Sequence, residues 1–90
     1  MKTVHLIISG LVQGVYFRKS TQEQAIVFSL TGWVRNLENG NVECVATGSP
    51  EAINLLIRWC AKGPDAARVD NVGVSEMPEV QVFDGFEIRR

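Results

Sequence analysis

The segment Gln13-Gly14-Val15-Tyr16-Phe17-Arg18 is the one stretch of this chain whose residue types and spacing point to chemistry. A glycine that admits a turn with positive φ runs directly into a helix-compatible stretch. The first amides of that helix have no intrahelical acceptor, and they point outward with the positive end of the helix dipole. Arg18 puts a guanidinium at the lip, so the segment reads as an anion cradle. The plainer reading is a strand-to-helix turn with a solvated arginine, and one glycine does not separate the two.

Elsewhere the reactive inventory is thin. No GxxxxGK[ST] or GxGxxG occurs, which speaks against use of nucleoside triphosphates or dinucleotides. A cysteine-nucleophile phosphatase needs an arginine six positions after its cysteine, where this chain has Pro50 and Ala66. Cys44 and Cys60 stand sixteen positions apart without a CxxC, and His5 is the only histidine, so no metal ligand set is expected. His5 falls on a strand with no marked partner and reads as a packed or surface residue.

Ninety residues, 46% of them hydrophobic and 21% charged, predict a single domain over residues 1–90 with a real core. Nine basic against ten acidic residues leave no global field to attract nucleic acid or an anionic membrane, so any anion must be held locally. The apolar run near the start is too short for a secretory leader or a membrane span. With two cysteines read as buried, reduced thiols, a cytoplasmic protein is expected, with no cofactor and a monomer as the default state.

The elements that must position Arg18 follow from periodicity. Val4 to Ser9 reads as a buried strand closed by Gly10. The helix from Arg18 towards Thr31-Gly32 carries Thr21, Ala25 and Phe28 at i, i+4 and i+7, with Ile26 and Leu30 beside them. Asn39-Gly40 between Trp33–Leu37 and Asn41–Thr47 predicts a two-residue hairpin that sets Asn36 across from Glu43, with Cys44 in the core. Ser49-Pro50-Glu51 and Lys62-Gly63-Pro64 bracket a helix with Ile53, Leu56, Ile57 and Cys60 on one face. Val69, Val72 and Val74 mark a strand with a bulge near Val69, and Phe86–Arg89 a short edge strand. The order β-α-β-β-α-β predicts an α+β fold, a ferredoxin-like sandwich of an antiparallel sheet with two helices on one face. From its position alone, Asn36 is a strand-end residue before a turn. Arg35 reads as a solvated strand residue, and Trp33 as packing or edge cover. The Arg89-Arg90 pair is either a solvated terminus or an aid to holding a substrate.

Two blocks, GLVQGVYFR from Gly10 to Arg18 and GWVRNLENGNVE from Gly32 to Glu43, together with GPDAARVDNV and the end FEIRR, resemble the acylphosphatase family, small metal-independent hydrolases of carboxyl phosphates. The resemblance spans essentially the whole chain. It implies sheet order 4-1-3-2, a phosphate-binding arginine at Arg18 and a water-orienting asparagine at Asn36. The phosphoryl group then rests on amides from Gln13, Gly14, Val15, Tyr16, Phe17 and Arg18. The substrate is a small acyl phosphate, and inorganic phosphate is both product and competitive inhibitor. Two positions depart from the pattern. Leu11 replaces a frequent arginine, and Tyr16 replaces a frequent glycine and is expected to narrow the cradle mouth. A noncatalytic RNA-binding module is disfavoured by an acidic pI near 5.7 and the lack of an RNP-like pattern. A phosphate sensor without turnover is disfavoured by the presence of both Arg18 and Asn36.

Overall fold

The computed structural model describes all residues from Met1 to Arg90. In chain order the elements are β1 (Lys2–Leu11), α1 (Phe17–Val27), β2 (Thr31–Asn36), β3 (Val42–Gly48), α2 (Pro50–Lys62), β4 (Arg68–Glu76) and β5 (Phe86–Arg89). They form one five-stranded sheet in the order β4-β1-β3-β2-β5. Alternate residues of the central strands, Val4, Leu6 and Ile8 of β1 with Val42, Cys44 and Ala46 of β3, point to one face. There they meet Phe17 and Ala25 of α1 and Ile53, Leu56 and Cys60 of α2 in a single core cluster.

The second helix has the boundaries its residues predict. The Ser49 hydroxyl accepts from the Ala52 amide at 3.1 Å, Pro50 opens the first turn, and Gly63 ends the helix with φ 72°. The first helix is shorter than expected. It stops at Val27, where Leu30 N–H bonds to Ala25 O at 2.8 Å and Ser29 N–H to Ile26 O at 3.0 Å, with Ser29 left-handed at φ 60°. This is a Schellman stop built on a serine rather than a glycine. Its buried stripe is Phe17, Thr21 and Ala25, while Ile26 is 59% exposed, against the expectation that it packs.

Three further sequence expectations meet the structure with different results. The bulge is present, since Ser9 pairs with Asn71 and Gly10 with Val69, leaving Asp70 extra. The hairpin register is displaced by one: Asn36 lies opposite Val42, and Glu43 lies opposite Arg35. The cause is the loop. Leu37 and Asn41 close it through Leu37 N–H to Asn41 O at 2.8 Å, leaving three residues, and Gly40 takes φ 93°. The glycine therefore serves a three-residue turn ending in a bulge instead of a two-residue one.

The sheet is also not wholly antiparallel, because β5 runs parallel to β2, with Gly32 opposite Phe86. β4 leaves the sheet at the end where Val4 pairs with Glu76, the same end at which β2 begins, with Thr31 opposite Thr47. Residues 77–85 cross along that end. Met77 N–H bonds to Thr3 O, and Gln81 N–H bonds to the Thr3 hydroxyl, both at 2.9 Å. A strand starting there can only run the way β2 runs.

On the face away from the helices, Glu43 joins three strands. One carboxylate oxygen accepts from His5 Nε2 at 2.7 Å and the other from Arg35 Nε at 2.6 Å. His5 and Arg35 are thus paired rather than free. Burial by itself pushes the Glu43 carboxyl up, but the bonds from His5 and Arg35 outweigh it and hold the group below its ordinary 4.5. A carboxyl depressed on folding contributes stability that is complete above its unfolded value and is lost as pH falls through the folded value. Thermal unfolding midpoints measured from neutral pH down to pH 3 should therefore fall more steeply below about pH 4.5 in the parent than in Glu43→Gln. Parallel curves would show that Glu43 carries no share of the acid sensitivity.

Candidate active site

The end of β1 and the start of α1 are joined by a tight loop whose backbone is held in an unusual shape. After Val12, which is buried, Gly14 has φ 75° and Tyr16 has φ 62°. A Cβ at Gly14 would meet nothing within 4 Å, so glycine is needed there for its backbone angle and not for space. Tyr16 adopts the left-handed region without being glycine, at a cost of about 1–2 kcal/mol. Its side chain is 82% exposed, so packing offsets little of this.

The loop delivers a bare helix N-terminus. Tyr16 caps α1 with no side-chain hydrogen bond, and no acidic residue stands in the first turn, whereas α2 has Ser49 and Glu51 at its start. The first intrahelical bond is Ser20 N–H to Tyr16 O at 3.0 Å, so the amides of Phe17, Arg18 and Lys19 precede it and have no helical acceptor. Phe17 anchors this end. It is buried, packs on Trp59 with ring centroids 5.6 Å apart, and offers its carbonyl to the Thr21 hydroxyl at 2.8 Å.

A cleft of about 490 Å³ opens at this helix end, within the size range of small-molecule sites. Gly14, Tyr16, Phe17, Arg18 and Asn36 all line it, so five of the seven residues singled out from the sequence meet there. The side chains of Gln13 and Val15 do not. Val15 packs against the core, and Gln13 Nε2 donates to Leu37 O at 2.7 Å and Asn41 O at 2.9 Å. Gln13 thereby ties the loop to the two residues that close the β2–β3 hairpin. Asn36 ends β2 on the helix side of the sheet, two residues beyond buried Val34. Its Oδ1 is buried with no hydrogen-bond partner, the one such side-chain atom in the structure. An orphaned buried oxygen is costly, and this one belongs to a residue that lines the cleft.

Sequence reasoning missed three of the lining residues, Val12, Lys19 and Ile88, whereas Arg90, left open between a solvated terminus and an aid to holding a substrate, lines the cleft. Lys19 follows Arg18 directly, and Ile88 and Arg90 share a face of β5 and its extension by the two-residue period of a strand. The Arg89-Arg90 pair divides. Arg89 bonds to Glu87 at 2.7 Å and lies 4.9 Å from the Trp33 ring, which Arg35 also approaches at 5.4 Å. Two guanidiniums therefore lie against the Trp33 ring. Leu11, the other departure from the family pattern, is exposed and does not line the cleft.

The cysteines stand apart from this chemistry. Cys44 and Cys60 are free and buried. Burial pushes the Cys60 thiol up to about 12 and the Cys44 thiol well above its ordinary value, so neither supplies a thiolate at neutral pH.

Comparison with known proteins adds the lineage. The family model described as Acylphosphatase matches residues 4–88. An acylphosphatase of Marinobacter nauticus is 51% identical over 91% of this chain and 89% of its own length. The solved structure of an acylphosphatase from Coxiella burnetii superposes with TM-score 0.94 at 42% identity, covering 98% of this chain and 92% of that one. The acylphosphatase crystal structure from Bacillus subtilis reaches TM-score 0.97 at 31% identity over all of both chains. With the same order of elements, the bare helix end beside Asn36, and relatives of matching length and name, this chain belongs to the acylphosphatase family of enzymes.

Proposed function

We propose that the protein acts as a single-domain, monomeric, cytoplasmic enzyme that hydrolyses the carboxyl-phosphate bond of small acyl phosphates without a metal ion. In this reading water attacks phosphorus in line, the P–O bond to the carboxylate breaks, and inorganic phosphate and carboxylate leave. The leaving group is a weak base and needs little protonation, so a strong general acid is not required. The phosphoryl oxygens rest on amides of the loop from Gln13 to Arg18, and Arg18 adds a forked, charge-assisted contact to two of them. That placement suits a loose transition state, in which stabilisation by position and charge does most of the catalytic work. Asn36 holds the water, and since an amide has no useful pKa the proton passes to the phosphate itself.

The observation that carries this reading is the single cleft at the bare N-terminus of α1 that Arg18 and Asn36 both line. The Asn36 carboxamide carries both a donor and an acceptor with which a nucleophilic water can be oriented. The buried free thiols accord with a reducing compartment.

The test is hydrolysis of benzoyl phosphate in excess EDTA. Turnover should persist undiminished, because Arg18 and the loop amides supply the charge that a cation supplies elsewhere. Inorganic phosphate should inhibit competitively by filling the same cradle. Activity lost to the chelator and restored by a divalent ion would overturn the metal-independent mechanism, and no turnover at all would leave phosphate sensing as the better account.

A further inference from the structure

We propose that the cleft also hydrolyses phosphoramidates, compounds whose phosphoryl group sits on an amine nitrogen that is protonated at neutral pH. The proposal rests on the acylphosphatase reading above and adds a second kind of bond, P–N beside P–O, to what the site cleaves.

The argument starts from proton donors. The chain has ten Asp and Glu residues, one His and two Cys, and none of them lines the cleft beside Asn36. His5 and Glu43 are bonded to each other on the opposite face of the sheet, and both thiols are buried in the core. The protic side chains that do line the cleft are the cations Arg18, Lys19 and Arg90, the carboxamide of Asn36 and the phenol of Tyr16. Lys19 Nζ is turned back to within 3.4 Å of Gln22 Oε1, and Tyr16 is 82% exposed, so its phenol stands in solvent. The α-carboxylate at Arg90 is ionised at neutral pH and has no proton to give.

Such a site is well furnished to hold a phosphoryl group and poorly furnished to protonate whatever the group is attached to. An alkoxide needs that proton to depart, so the substrate range is set by leaving groups that depart unaided. A carboxylate is one, because it is a weak base. An amine is another, because its nitrogen brings the proton with it. At neutral pH phosphoramidate is an ammonium nitrogen on a phosphoryl dianion, net a monoanion, and it still presents its phosphoryl oxygens to the loop amides and Arg18. Water held by Asn36 attacks phosphorus, the P–N bond breaks, and its electron pair leaves with the nitrogen as neutral ammonia or amine. Both hydrogens of the water end on the phosphate, released as dihydrogen phosphate, so atoms and charge balance without an added proton.

Phosphoramidate itself is the probe, with benzoyl phosphate and glycerol phosphate beside it, each followed by phosphorus NMR. Phosphate should be released from phosphoramidate faster than without enzyme, and glycerol phosphate should stay intact. Asn36→Ala should lower kcat for phosphoramidate by the factor it imposes on benzoyl phosphate, about a hundred- to a thousand-fold. Arg18→Ala should weaken both reactions together, and unfolding midpoints near the parent's verify that the variants are folded. The pH profile carries the distinctive sign. Relative to benzoyl phosphate, kcat/KM for phosphoramidate should fall about tenfold per pH unit once the pH exceeds the pKa of the phosphoramidate nitrogen, because the unprotonated amine is too strong a base to leave. A ratio that stays flat across that range overturns the proposal. So does turnover of glycerol phosphate at a comparable rate, which would require an acid in the cleft, or a phosphoramidate activity that survives Arg18→Ala. Phosphoramidate left intact while benzoyl phosphate is consumed overturns the proposal and leaves acyl phosphate hydrolysis standing. Failure to hydrolyse either compound overturns that reading itself.

Discussion

Replacing Arg18 by Lys is expected to remove most phosphate affinity and most turnover while the protein stays folded. A guanidinium spans two phosphoryl oxygens with a planar fork, whereas an ammonium offers a point charge on a flexible stem and cannot hold both in register. Loss of charge-assisted contacts of this kind costs roughly 1.5–3 kcal/mol, about 10- to 100-fold in the inhibition constant for phosphate. Turnover should fall further than affinity, because the fork meets charge that shifts during the reaction. Arg18→Ala should be worse on both counts. The fold has little to lose, since Arg18 is half-buried, forms no ion pair, and leaves the anchoring of α1 to Phe17 and Thr21. Phosphate inhibition, kcat and the unfolding midpoint measured on the same preparations check this. An unchanged inhibition constant in either variant would move the anion site away from α1.

Asn36→Ala should produce a different signature, in which affinity for phosphate is kept, kcat falls by a hundred- to a thousand-fold, and stability holds or rises. The rate loss corresponds to one transition-state hydrogen bond, worth roughly 3–4 kcal/mol. The stability direction comes from the structure. A buried acceptor without a partner costs about 1–3 kcal/mol, so deleting it relieves the folded state. A residue that merely finishes β2 would show the reverse, with a lowered unfolding midpoint and little change in kcat. A kcat near that of the parent, with weakened phosphate inhibition, would make Asn36 a binding residue instead of the holder of the attacking water.

How far the site was legible beforehand depended on whether the deciding forces were local. The limits of α2 were readable because Ser49, Pro50, Glu51 and Gly63 act within one turn of the ends they define. The tight loop and the helix start after it were readable for the same reason, as a glycine placed before a helix-compatible run. The hairpin was readable in place but not in register, because a glycine after asparagine serves equally a two-residue turn and a bulged three-residue one. Ile26 misled because an apolar residue on a helical stripe is buried only if the helix continues, and Ser29 ends it first. The direction of β5 was illegible in principle, since it follows from where residues 77–85 re-enter the sheet. The role suggested for Asn36 came only through family resemblance, and its orphaned oxygen is visible only once β2, α1 and the loop are assembled. Lys19 escaped notice because its place at the cleft depends on how α1 is seated against β2 and β5, which no local signal gives.

The Gln13 carboxamide uses both of its hydrogens on the carbonyls of Leu37 and Asn41. The loop from Gln13 to Arg18 and the hairpin that extends β2 beyond Asn36 are therefore not independent bodies: a fluctuation that loosens one must break bonds belonging to the other. Whatever quiets the loop removes conformational freedom from the hairpin, and thermodynamic reciprocity requires the converse. Residues such as Glu38 and Asn39, exposed at the tip and outside the cleft, are thus coupled to the loop through the turn they form. The placement of Asn36 and Arg18 in one cleft is in this sense a collective property of loop and hairpin, carried across the gap by a single side chain.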